Sequence, residues 1–152
     1  MENKELKEEL LTLCEGFVKG RINNAEKAMN DAQDSANGEI KSSAGDKHET
    51  SRAMAHIEQE KNAKQLDEAI KLKRALLELK KVRSSEIVGF GSLVITNQGA
   101  YYISLSLGAI TNKGVDYFLV SPTSPIATAL KGCRVNDSIL FNGREFIIEK
   151  VF

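Results

Sequence analysis

The 152-residue sequence carries 21 basic and 21 acidic side chains, so its formal net charge is zero. Hydrophobic residues make up 41% and charged residues 28%, which excludes a disordered chain. No apolar run approaches the roughly 18–20 residues of a membrane span, and the Lys/Glu-rich start is unlike a signal peptide. Cys14 and Cys133 are too few for a disulfide framework and lack metal-ligand spacing, so the expectation is a cytoplasmic protein with no membrane partner.

The neutrality hides an asymmetry. Residues 1–84 hold 16 basic and 16 acidic side chains, no proline and one aromatic, Phe17. Residues 85–152 hold five of each charge, both prolines and the other eight aromatics. Two architectures are predicted, divided at residue 84.

Within residues 3–37, Leu11, Cys14, Val18, Ile22, Ala25, Met29, Ala32 and Ala36 recur every three or four positions. Leu6, Leu10, Leu13 and Phe17 widen that face, so a long helix is predicted. Gly38 and Gly45 bracket a polar stretch where the pattern stops. It resumes near Thr50 with Ala53, Met54, Ile57, Ala63, Leu66, Ile70 and Leu77, thickened by Ala69, Leu72, Leu76 and Leu79, and runs to about Val82. Two helices joined by a short turn form an antiparallel hairpin whose acidic turn lies near residues 38–50. A dimerising coiled coil is the alternative reading of the same seam.

After residue 84 the pattern changes to strands. Glu86–Thr96, Ala100–Leu107 and Val115–Val120 read as three of them, with Tyr101, Ile103, Leu105 and Leu107 on one face of the second. Ser124-Pro125 opens a short helix with serine as N-cap and proline in the first turn, and Gly132 stops it. Val135–Phe141 and Arg144–Phe152 flank Asn142-Gly143, a hairpin signal. The expected fold class is α+β: a helical coiled-coil hairpin over residues 1–84, then an antiparallel β domain with one short helix over residues 85–152.

Few residues suggest chemistry. His48 and His56 have no partner at catalytic or ligand spacing, and Ser42-Ser43 lacks an orienting scaffold. Gly89-Phe90-Gly91 lacks the later glycine and following helix of a phosphate loop. The charges are balanced everywhere, so no basic stripe for nucleic acid is legible. Sharper is Gly45-Asp46-Lys47-His48-Glu49, with two carboxylates three apart at the start of the second helix. Spacing alone favours a capping box, with Asp46 as N-cap and Glu49 at N3. The functional reading is a partial site for a hard cation, because Mg²⁺ needs six ligands and two carboxylates leave the rest to water or another molecule.

These residues resemble the Gre family of bacterial transcript cleavage factors over most of the chain. Gly45-Asp46-Lys47-His48-Glu49 looks like the family's Gly-Asp-x-x-Glu. Ser124-Pro125-Ile126-Ala127-Thr128-Ala129-Leu130-Lys131-Gly132 is similar to its Ser-Pro-Ile-x-x-Ala-Leu-x-Gly, and Val135-Asn136-Asp137 and Glu145-Phe146-Ile147-Ile148-Glu149 continue the likeness. The resemblance implies a hairpin followed by an FKBP-like domain, and entry of the hairpin into the secondary channel of bacterial RNA polymerase. It assigns Asp46 and Glu49 to Mg²⁺, held jointly with the polymerase, whose own active site then cleaves the 3′ end of a backtracked RNA. It assigns partner binding to Ser124, Pro125, Ile126, Leu130 and Gly132. A stimulating factor of this kind is not an enzyme by itself, and a monomer is expected. The chain departs from the family where Thr50-Ser51-Arg52-Ala53 stands for Asn-Ala-Glu-Tyr and Arg21-Ile22 for Arg-Pro. The alternatives are a channel-binding regulator that inhibits without cleavage, a prolyl isomerase, and a coiled-coil adaptor.

Overall fold

A computed structural model describes the backbone of residues 2–41 and 45–152 and the side chains of residues 3–34 and 50–152. The chain is α+β: α1 (Glu2–Lys41), α2 (Gly45–Lys81), then six strands and one short helix. It divides into two compact units, Gly16–Lys73 and the pair of segments Met1–Glu15 and Arg74–Phe152. No helix among the described residues is long and apolar enough to cross a membrane.

The Gly16–Lys73 unit is a pair of helices in opposite directions. Val18, Ala25 and Ala32 of α1 are buried, as are Asn62 and Ala69 of α2. Arg21–Ala28 and Gln65–Leu72 flank one another along a shared groove, and Ala28 meets Asn62. The small side chains let the two backbones approach but remove little area from water.

The seam of α2 is rotated from the expected one. Ala55, Gln59, Asn62, Leu66, Ala69 and Leu72 turn inward, whereas Met54 and Ile57 are each 66% exposed and Ala53, Ala63 and Ile70 face solvent. The steps from 55 to 72 are of three or four residues and average about 3.4, close to the coiled-coil period of about 3.5, and carrying that spacing back from Leu66 reaches Asn62 and Gln59 rather than Ile57 and Met54. Phe17, expected to widen the α1 face, is also exposed.

In the second unit the strands are β1 (Leu93–Thr96), β2 (Gly99–Ile103), β3 (Gly108–Asn112), β4 (Val115–Val120), β5 (Ser138–Phe141) and β6 (Arg144–Val151), with α3 (Pro125–Leu130) before β5. They form one sheet in the order β3-β4-β2-β1-β6-β5. Four neighbouring pairs are antiparallel, and β2 runs parallel to β4. The sheet is therefore mixed rather than wholly antiparallel. The cause is β3, absent from the sequence reading: the chain leaves β2, forms the outer strand and returns as β4 alongside β2. The first expected strand is shorter too. Residues 86–92 form turns and only Leu93–Thr96 is extended. At Gly91 the backbone has φ +88°, and a Cβ there would lie 2.6 Å from Cγ1 of Val82.

The register sorts side chains into two faces. Leu93, Tyr102 and Leu119 share one row, and Ala100, Tyr117 and Ile110 the next. All six are buried, together with Leu10, Cys14, Leu76 and Leu79 from the helix segments of the same unit. Val94, Ile103 and Ile148 point to the opposite face and pack with Val88, Ala127 and Leu130 of the α3 region. Each such aliphatic side chain removed from water contributes about 1.5–3 kcal/mol, which a sheet of this size needs from both faces.

Candidate functional site

α2 starts at Gly45, so Asp46 and Glu49 belong to its opening turns. Acidic groups suit that position because they face the positive end of the helix dipole. The side chains of Asp46, His48 and Glu49, and Ser42 and Ser43 altogether, lie outside the described residues. Among the described residues no three His, Cys, Asp or Glu side chains converge so as to hold a metal ion. Two carboxylates alone do not complete the six-ligand shell of a Mg²⁺ ion.

The second group of expected residues is gathered on and around α3. Ser124 is the N-cap, and its Oγ accepts from the Ala127 N–H at 3.3 Å. Pro125 occupies the first turn, exposed, with a ring that fixes φ where no N–H is needed. Ile126 is half-buried, whereas Leu130 is fully buried in the core below the helix. Gly132 follows with φ +83°, and its N–H donates to the Val88 carbonyl at 2.9 Å. The sequence motif thus encodes a capped helix docked on the sheet, of which Pro125 and part of Ile126 face outward.

Sequence reading missed the groups that tie α1 to the sheet. Glu9 accepts from Asn112 Nδ2 at 2.8 Å through one oxygen and from Lys113 Nζ at 2.9 Å through the other. Those hydrogen bonds hold its carboxyl below the usual range, Asn112 contributing most, and Glu9 in turn raises Lys113. Glu9, Asn112 and Lys113 line a groove of about 600 Å³ together with Leu6, Ala100 and Tyr117. No local pattern links Glu9 to Asn112, 103 residues away. Lys113-Gly114, both at positive φ, was the one legible sign of a turn there.

Other titratable groups are buried beside the same helix. Cys14 is fully buried, and desolvation pushes its thiol up to about 11. Tyr102 is raised to about 12, chiefly by burial and secondarily by Cys14. Lys7 is lowered by burial, and its ammonium donates to the Phe152 carbonyl at 3.2 Å. Aromatic rings cluster elsewhere: Tyr101 stacks on Phe118 at 5.5 Å and meets Phe146 at 6.1 Å, and Phe146 meets Phe141 edge-on. These rings pack largely on one another across the sheet.

No protein-family model matches the chain, and no curated protein matches it either.

Proposed function

We propose that the chain is a Gre-like elongation factor of the bacterial cytoplasm, which binds RNA polymerase through its secondary channel and stimulates cleavage of backtracked RNA. One observation carries this reading. A pair of helices 40 and 37 residues long precedes the strands in sequence, and the start of the second bears the Gly45-Asp46-x-x-Glu49 motif. At about 1.5 Å per residue such helices exceed 50 Å, long for an ordinary packing element and suited to a probe.

Two-metal hydrolysis of a phosphodiester needs one ion for the attacking water and one for the leaving oxygen, and Asp46 and Glu49 would help hold the second of these Mg²⁺ ions. The part taken by this chain is limited to offering the carboxylates of Asp46 and Glu49 as ligands. The 32 charges spread over residues 1–84 in equal numbers keep a long helix pair hydrated without a positive field to compete for RNA. Affinity then comes from protein contacts, among them Pro125 and Ile126 on the outer side of α3.

The test is a stalled, backtracked elongation complex incubated with Mg²⁺ and the protein. Short 3′ fragments are expected with the wild type and not with Asp46→Asn/Glu49→Gln. Absence of fragments with the wild type, or equal cleavage by the double variant, overturns the reading. The departure at Thr50-Ser51-Arg52-Ala53 favours a second reading, a channel-binding inhibitor, which the same assay detects as slowed synthesis without fragments.

A further inference from the structure

Within the sheet unit, a groove of about 290 Å³ is lined by Lys4, Lys7 and Glu8 of α1, Lys80 of α2, Ser84 and Tyr102. Tyr102 is 3% exposed, yet its hydroxyl makes no hydrogen bond among the described residues. Buried hydroxyls are nearly always satisfied, so an orphan one on a residue that lines a groove points to a missing partner. Its raised pKa keeps it a neutral O–H, which is able to donate.

The surrounding charge says what kind of partner. Three ammonium groups share the lining with the Glu8 carboxylate and with Leu11, Leu79 and Val82, and Glu15 pairs with Lys80, so one positive charge is left over. Lys80 is held by Glu15 at 2.6 Å and Lys7 uses one N–H on the Phe152 carbonyl, which leaves each with further donors. Lys4 has no ion pair among the described residues. The lining thus offers donors in excess and a surplus of positive charge, with burial adding strength at Lys7 and Tyr102. The volume holds a tetrahedral oxyanion with a few waters, at roughly 30 Å³ for each water.

We propose that this groove binds a phosphate group, with the buried Tyr102 hydroxyl and the half-buried Lys7 ammonium as its donors and Lys4 and Lys80 supplying charge. The site is independent of the cleavage reading and stands or falls without it. Phosphate could arrive free or as the ester of a nucleotide, so both are used as probes.

The experiment follows the melting temperature of the full chain while inorganic phosphate, or a nucleoside 5′-monophosphate, is titrated at constant ionic strength. A ligand that binds only the folded state raises that temperature in a saturable way. The wild type is expected to show the rise. Tyr102→Phe, which keeps the ring, is expected to melt no lower without ligand and to lose at least half of the rise. Lys7→Met should lose it as well, and Lys131→Met, on the exposed end of α3, should keep it. The probe giving the larger rise at equal concentration identifies the source. No saturable rise in the wild type, as for a groove filled only by water, overturns the proposal, and so does an equal rise in Tyr102→Phe.

Discussion

Asn62 of α2 donates its side-chain amide to the backbone carbonyl of Ala28 in α1 at 3.1 Å, in a seam where its neighbours are alanine and leucine. The carbonyl already lies in a helical ladder, so the bond adds register more than stability, as a single seam asparagine does in coiled coils. Asn62→Leu should therefore raise the melting temperature of the helix pair while relaxing its register. Asn62→Asp should lower stability by about 2 kcal/mol or more, because a buried carboxylate would face a carbonyl with no donor. Thermal melts followed by far-ultraviolet circular dichroism distinguish the two.

The same residue shows where the sequence was legible and where it was not. Helix type followed from the apolar spacing, but helical phase in α2 did not. Met54 and Ile57 are larger and more apolar than Gln59 and Asn62, so a reading by hydrophobicity put the wrong pair inward. The period carried back from Leu66 would have corrected it. Local turn chemistry was legible for the same reason that it is local: Asn142 and Gly143 both adopt positive φ as the hairpin requires, and Ser124 caps α3. β3 was not, because Gly108–Asn112 contains one large apolar residue, Ile110, and owes its strand to β4. The parallel pairing of β2 with β4 and the Glu9 clamp join distant segments and leave no local trace. Asp46 and Glu49 were legible only as a motif.

The Glu9–Lys113 pair sets a pH dependence. Glu9 titrates below its usual 4.5 in the folded chain, so its contribution is present above that value and is lost as pH falls through the folded pKa. Lys113 titrates above its usual 10.5, so its contribution is present below that value and is lost as pH rises through the folded pKa. Urea midpoints should therefore fall at both limits. Glu9→Gln should flatten the acid limb at this site, and added salt should reduce the difference between variant and wild type, since the pair is partly exposed.

Cys14 and Cys133 should differ in reactivity. With its thiol near 11, Cys14 carries about one thiolate in a thousand at pH 8, and it is also fully enclosed. Cys133 is partly exposed, and burial raises its thiol as well. A thiol-specific reagent under native conditions should label Cys133 first, and Cys14 at the rate of unfolding. Equal labelling of both, read by peptide mass, would mean that the α1 base opens readily from the sheet.

The α3 segment needs its structural and binding roles separated before any partner assay is interpreted. Leu130→Ala removes a side chain that is fully buried and should cost about 2–5 kcal/mol. Ser124→Ala removes the cap of α3 and should cost about 1 kcal/mol. Gly132→Ala forces a Cβ at φ +83° and should cost on the order of 1 kcal/mol or more. All three would weaken partner binding merely by loosening the helix. Pro125 is exposed, and alanine suits the first turn of a helix, so Pro125→Ala should leave the urea midpoint nearly unchanged. If that variant nevertheless loses affinity for RNA polymerase in a pull-down at matched stability, the outer side of α3 is a contact surface. If it binds as the wild type does while Ser124→Ala and Gly132→Ala weaken in proportion to their stability, the motif serves the fold alone.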